Sequence, residues 1–301
     1  MKPLIGISRA MLLRLSRAKT IGKVVQRTAW GRRAVEGLVA GNTIEEAVAS
    51  ALLAKRRGFN VTLDRLGEAA SGAAADDYVA DASRLLDGQL VAGLEPNVSV
   101  KLTAIGLSEG EDVAATRLDR ILATAQRVNG FVRVDAERPE TLDALHRIVV
   151  AARASGRPVG TTIQASLRRS VVDVEQLVTA RVPILLVRGA YDPGAGGVGD
   201  VAAVDAAYLR LAARLLEDNV PLAFGTHKDR ILNQLADQAR VRVEAQLLYG
   251  VRADLADRLL STGWSVRIYT PYGLEWWPYA LRRIAEQPAN LPAVVRRMIS
   301  R

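Results

Sequence analysis

The sequence predicts a closed (β/α)8 TIM barrel, somewhat distorted, carrying an N-terminal helical arm, and three observations lead there. From residue 59 onward, short β-branched or apolar runs alternate with segments of helical period, and the alternation repeats eight times. The 301 residues, 49% of them apolar, suffice for one large barrel-type domain, whereas a doubly wound open sheet would use fewer strands in this length. A polar residue closes nearly every strand candidate, as a barrel with a functional mouth requires.

The order of elements follows from local pattern. Residues 1–57 read as a basic helical arm, with Asn42-Thr43-Ile44-Glu45-Glu46 as a capping box at the start of one helix. Residues 58–290 form the barrel and 291–301 a tail. The strand candidates are Phe59–Leu63, Asn97–Leu102, Phe131–Asp135, Val159–Gln164, Pro183–Arg188, Pro221–Gly225, Val241–Leu247 and Ser265–Tyr269. Helical period marks Asp77–Val91, Val113–Val128, Glu140–Ala154, Val201–Asp218 and Asp229–Ala239 between them. In the last strand Val266 and Ile268 read as inward positions, Pro271 and Gly273 as a turn, and Glu275–Glu286 as a helix ending before Pro288.

Composition narrows the classes. No run of about eighteen apolar residues occurs, and Arg9, Arg14, Arg17 and Lys19 are scattered through the N-terminus, so neither a spanning helix nor a signal peptide is expected. Without cysteine there is no disulfide or thiolate-bound metal, and His146 and His227 lie far apart, so no metal site is expected. A reducing cytoplasm suits this composition. Residues 1–60 hold twelve Lys or Arg against three Glu, so the whole net charge of +9 sits there, while the remaining 29 residues of each sign cancel. Such asymmetry suits a solvated helix face or an anionic membrane surface. Nucleic acid is not expected, because Trp30 and Phe59 are too few to make a stacking platform.

Candidate chemistry gathers at strand ends. Lys101, Asp135, Gln164, Arg188 and Tyr269 close their strands, Thr226 and His227 follow the sixth, and Gln246 falls in the seventh. Each also suits a helix cap or a satisfied barrel residue; convergence on one rim is what singles them out. Lys101 is costly to bury unpaired, and Asp135 on the neighbouring strand is its expected partner. Near the C-terminus, Arg282 and Arg283 lie four and three residues before Glu286, within reach of it on one helix face. A guanidinium fork held by a carboxylate suits bidentate recognition of a substrate carboxylate, and the aromatics Tyr269, Tyr272, Trp276, Trp277 and Tyr279 around it favour this over a surface ion pair. Gly194-Ala-Gly196-Gly-Val-Gly199 formally matches the dinucleotide fingerprint, but Gly189-Ala-Tyr191-Asp-Pro separates it from the strand; a mobile loop over the mouth is the better reading.

Val98-Ser-Val-Lys101-Leu, Arg133-Val-Asp135-Ala-Glu137, Leu186-Val-Arg-Gly189-Ala-Tyr191, Thr226-His227, Glu244-Ala-Gln246-Leu-Leu-Tyr249-Gly, Arg267-Ile-Tyr269 and Tyr279-x-x-Arg282-Arg283-x-x-Glu286 resemble, in order, the successive motifs of the short monofunctional bacterial proline dehydrogenases. The resemblance implies a barrel that binds FAD noncovalently, oxidises L-proline to 1-pyrroline-5-carboxylate by hydride transfer to flavin N5, and passes electrons to a quinone-type acceptor. It implies that Arg282, Arg283 and Lys101 grip the substrate carboxylate, with Glu286 orienting the arginines. Tyr269, Leu186, Tyr191 and Tyr279 would wall the ring, and Asp135 would stand near its nitrogen. Asp135, Gln164, Val187, Arg188, Gly189, Ala190, Thr226, His227, Lys228, Gln246 and Glu286 would lie about the flavin. The chain departs from the pattern at Leu185, where family members usually carry arginine close to N5, at Ser166, where an aromatic is common, and at Lys228, where Asn or Asp is frequent. Arg188 or Lys228 could supply the missing charge. Other readings are a flavoenzyme acting on another cyclic secondary amine, a non-flavin barrel lyase or aldolase using Lys101 as a Schiff-base lysine, and a noncatalytic interaction protein.

Overall fold

In the computed structural model, which describes residue 28 and residues 37–286 with the side chains of 284–286 excepted, eight parallel strands close into one barrel in chain order. They are β1 (Asn60–Arg65), β2 (Asn97–Val100), β3 (Phe131–Val134), β4 (Val159–Gln164), β5 (Ile184–Val187), β6 (Leu222–Gly225), β7 (Glu244–Leu248) and β8 (Ser265–Tyr272), and β8 pairs with β1 to complete the ring. The α-helices of the described residues are α1 (Ile44–Arg56), α2 (Gly72–Val91), α3 (Glu111–Arg127), α4 (Leu142–Ala154), α5 (Ser170–Thr179), α6 (Val201–Leu216), α7 (Asp229–Ala239), α8 (Ala253–Ser261) and α9 (Trp276–Glu286). The capping box opens α1: Thr43 Oγ1 accepts from Glu46 N, and Glu46 Oε2 accepts from Asn42 N at 2.6 Å. Most of the basic arm and all of the 291–301 tail lie outside the described residues.

Strand parity divides the barrel into two environments. Leu63, Val98, Val100, Val132, Val134, Ile163, Leu186, Phe224, Leu247, Val266 and Ile268 belong to the apolar core that also takes in the helices. The opposite parity is polar: Arg267 donates to Glu244 and to Val61 O, Thr62 bonds Asn97, and Ser99 bonds Asp135. Val266 and Ile268 therefore face the helix layer, and Arg267 and Tyr269 take the barrel interior. Apolar side chains bury more area between two packed layers than around a polar mouth, so the parity inverts the inward reading.

Most strand ends differ from expectation by one to three residues, and three differences have a clear cause or consequence. β7 begins at Glu244 because Val241 is exposed in a turn where Arg242 N and Val243 N both donate to Ala239 O. β8 continues through Pro271, where only β1 pairs with it and β7 has ended, so the missing N–H costs no ladder bond. β1 extends two residues past Leu63 and so carries Asp64 to the rim.

Candidate active site

The C-terminal end of the barrel is built around one buried amine. Lys101 follows β2, and its Nζ donates to Asp64 Oδ1 at 2.8 Å, with Asp135 Oδ2 and Tyr269 Oη each 3.4 Å away. Tyr269 Oη donates to Asp135 Oδ2 at 2.8 Å, and Ser99 Oγ donates to Asp135 Oδ1 at 2.6 Å. The partner expected for Lys101 is present, but Asp64 is the closer one. Burial opposes the ammonium, yet Asp64, Tyr269 and Asp135 together hold its pKa above the usual lysine value. Burial pushes Asp64 up to about 6 despite Lys101, and its Oδ2 has no hydrogen-bond partner among the described residues.

Helix α9 lies over this network because Trp276, Tyr279 and Ala280 pack on Leu66, just past β1. Burying side chains of this size contributes about 1.5–3 kcal/mol each, enough to fix the helix. Arg282 Nη2 then meets Glu68 Oε1 at 2.5 Å and its guanidinium lies 4.9 Å from the centroid of the Tyr191 ring, while Tyr191 Oη donates to the same Glu68 oxygen at 3.0 Å. Burial alone would raise Glu68, but Arg282 and Lys101 hold its carboxyl below the usual range. Arg283 lies 5.3 Å from the centroid of the Tyr279 ring. Burial, with the charges of Arg283 and Arg252, depresses His227 to about 3, so its imidazole is neutral and Nε2 accepts from Leu248 N at 3.0 Å. The side chain of Glu286 lies outside the described residues, and among the described side chains the carboxylate that engages Arg282 is Glu68.

A second buried carboxyl stands beside this pair. Glu137 accepts from Thr103 Oγ1 at 2.7 Å and Thr103 N at 3.3 Å, and burial with the charge of Glu68 pushes it up to about 7. Gln164 Nε2 donates to its carbonyl at 2.8 Å.

The β4 to β7 side presents the other candidate residues. Gln164, Val187 and Gly225 are in register. Gly189 has φ 113°, and a Cβ there would stand 2.1 Å from Ser166 Oγ, so glycine is required. Ala190 follows it, and Thr226 Oγ1 accepts from Lys228 N at 3.2 Å. Thr162 Oγ1 and Ser166 Oγ are buried without a hydrogen-bond partner among the described residues. The glycine-rich loop is pinned rather than free, since Gly197 bridges to Leu167 and Val198 N donates to Ser166 O.

Sequence reading and structure part at a few positions. Leu186 shares its parity with Ile163 and Phe224 in the helix-facing core, so it does not wall the mouth; Leu185 has the inward parity. Arg188 and Lys228 both turn to Asp205 on α6, Arg188 Nε at 2.8 Å, so neither takes the position Leu185 leaves without charge. Gln246 bonds Glu244 at 2.9 Å, deeper in the barrel. Asp64, Glu68 and Glu137 were not singled out. Asp64 had a signal, being two residues past Thr62 on the same parity; Glu68, in a loop, had none.

A closed parallel barrel whose mouth joins a buried ammonium, paired carboxylates and an aromatic-stacked arginine defines an enzyme of the (β/α)8-barrel class. Residues 47–193 and 198–296 match the family model described as proline dehydrogenase. Proline dehydrogenase of Deinococcus radiodurans is 35% identical over 278 residues, 88% of this chain and 89% of that protein. Proline dehydrogenase 1 of Bacillus subtilis strain 168 is 32% identical over 302 residues, 97% of this chain and 99% of that one. The chain belongs to the proline dehydrogenase family, oxidoreductases acting on the CH–NH group. Among solved structures, proline utilization A of Bdellovibrio bacteriovorus superposes with a TM-score of 0.78 at 21% identity, covering 97% of this chain but 37% of that longer one, and so shares the fold.

Proposed function

We propose that this protein oxidises L-proline to 1-pyrroline-5-carboxylate with FAD, and that the observation carrying this reading is Arg282, buried on α9 and stacked on Tyr191 at the mouth that also holds Lys101. The substrate carboxylate binds at Arg282 and Arg283, with Lys101 contributing charge, and competes with Glu68 for the Arg282 fork. Tyr191, Tyr269 and Tyr279 wall the apolar ring. Asp135, fixed by Ser99 and Tyr269, stands near the ring nitrogen and favours its positive charge until the proton leaves. Holding the amine-bearing carbon in one orientation is the protein's contribution to rate.

The β4 to β7 wall fits FAD. Two buried hydroxyls there, Thr162 and Ser166, have no hydrogen-bond partner among the described residues, and Gly189 leaves the backbone open where a side chain would clash. Gln164, Val187, Gly189, Ala190, Thr226 and neutral His227 would hold the cofactor. When bound, FAD supplies at N5 the acceptor for the hydride leaving the carbon next to the ring nitrogen. A quinone-type compound would be the final acceptor of the electrons in this reading. The basic arm brings the enzyme to an anionic membrane surface in this reading, and vesicle binding insensitive to salt would remove its basis. Among the described residues no helix is long and apolar enough to cross a membrane.

Leu185 on the inward parity favours a second reading, a related cyclic secondary amine as substrate, which turnover of pipecolate and hydroxyproline against proline separates. A Schiff-base role suits Lys101 less, because an ammonium held by two carboxylates is not a nucleophile. The decisive experiment is an absorbance spectrum of the purified protein before and after anaerobic addition of L-proline. Bleaching of a flavin band supports the proposal; a colourless protein that stays so with added FAD removes it.

A further inference from the structure

The mouth holds four buried or half-buried carboxyls, Asp64, Glu68, Asp135 and Glu137, against the cations of Lys101, Arg282 and Arg283. Asp64 and Asp135 share Lys101, and Glu68 pairs with Arg282. Glu137 alone of the four makes no ion pair among the described residues; both its oxygens accept from Thr103. It nonetheless interacts electrostatically with the clamp: with Glu68 from the loop after β1, Lys101 from the end of β2, Tyr191 from the loop after β5 and Arg282 from α9. We infer that Glu137 is a positioning residue whose charge state, acting through Glu68 and Arg282, sets how tightly the clamp holds the substrate carboxylate. The inference rests on the clamp reading above.

The reasoning is one of charge accounting. An arriving carboxylate shares or displaces Glu68 on Arg282, and Glu68 is then left facing Glu137. With Glu137 protonated the cluster accepts the extra anion more readily; with Glu137 ionised, Glu68, Glu137 and the substrate carboxylate repel one another around Arg282, and Lys101, already paired with Asp64 and Asp135, and Arg283 offset that repulsion only in part. Burial and Glu68 place its ionisation near neutrality, at about 7. Coupling of this kind is reciprocal: if a bound carboxylate raises Glu137 by about one pKa unit, the ionised form binds that carboxylate about tenfold more weakly.

The test uses flavin-loaded enzyme and cyclopentanecarboxylate, a five-membered ring acid without an amine, so that substrate nitrogen titration does not enter. Its affinity, measured by calorimetry between pH 6 and 9, falls about tenfold in the wild type as Glu137 ionises. In Glu137→Gln the fall is absent. In Thr103→Val, which removes a hydroxyl that stabilises the carboxylate, it moves to higher pH, and this variant carries the test if the first does not fold. A merely structural role for Glu137 would not abolish the inflection in one variant and shift it in the other. An inflection that survives in Glu137→Gln, or an unshifted one in Thr103→Val, overturns the inference while leaving proline oxidation intact. No binding of the acid at any pH, in enzyme whose flavin proline does not bleach, overturns the clamp and this inference together.

Discussion

Replacing Lys101 by Met keeps most of the volume and removes the charge at the centre of the mouth. Asp64, fully buried with one oxygen lacking a hydrogen bond, then loses its one ion-pair partner among the described residues, and Asp135 loses its ion pair with Lys101. Stripping one member from a buried pair costs about 3–5 kcal/mol. The pH dependence follows from Asp64, whose folded pKa of about 6 is raised above the ordinary 3.8. A carboxyl raised on folding contributes stability that is complete below its unfolded value and lost as pH rises through the folded one. In the wild type that loss is over by about pH 6; in Lys101→Met the folded value is higher still, so the loss continues upward. The gap between variant and wild type therefore opens above pH 6, by about 1.4 kcal/mol per pH unit until Asp64 ionises or the fold yields. Urea unfolding followed by tryptophan fluorescence at pH 5.5 and pH 8 measures it, and adding Asp64→Asn should close most of the gap at pH 8. A gap equal at both pH values, or one that Asp64→Asn leaves unchanged, would refute the pairing.

Other outcomes follow from the same geometry. Arg282→Ala should raise the proline KM by about a hundredfold or more, the cost of a lost charge-assisted contact, while flavin content in gel-filtered protein stays near wild type; equal loss of both counts against the clamp. Leu185→Arg places a cation on the inward parity of β5 and should raise the flavin midpoint potential in dye-linked reduction, because positive charge favours the anionic reduced form; an unchanged potential shows that position to be remote from the cofactor. His227, depressed to about 3, is a group whose stability contribution is present above its ordinary value of 6.5 and lost as pH falls toward the folded one. His227→Gln should therefore flatten the decline of Tm between pH 6.5 and 4, and an unaltered slope assigns that decline to other groups.

The barrel itself was legible because its cause is local. Eight apolar runs broken by helical period admit one compact closure, and the strand-end polar residues could be placed on one rim from topology alone. Lys101, Asp135 and Tyr269 indeed form one hydrogen-bonded network there, although 168 residues separate the ends of it. Sequence also pointed to Arg282 and Arg283 as a clamp. That Glu68 engages Arg282 was decided by tertiary structure: packing of α9 on Leu66 brings it to the guanidinium from 214 residues away, a separation no helical spacing reports, while the side chain of Glu286 lies outside the described residues. Likewise Leu185 and Leu186 are indistinguishable as residues, and only the register of β5 with β4 and β6 turns one inward and buries the other under the helices. Periodicity and composition are properties of neighbours along the chain, so they determine elements and their order. Ion pairing and side-chain parity depend on distances through space, which exist only once the ring has closed.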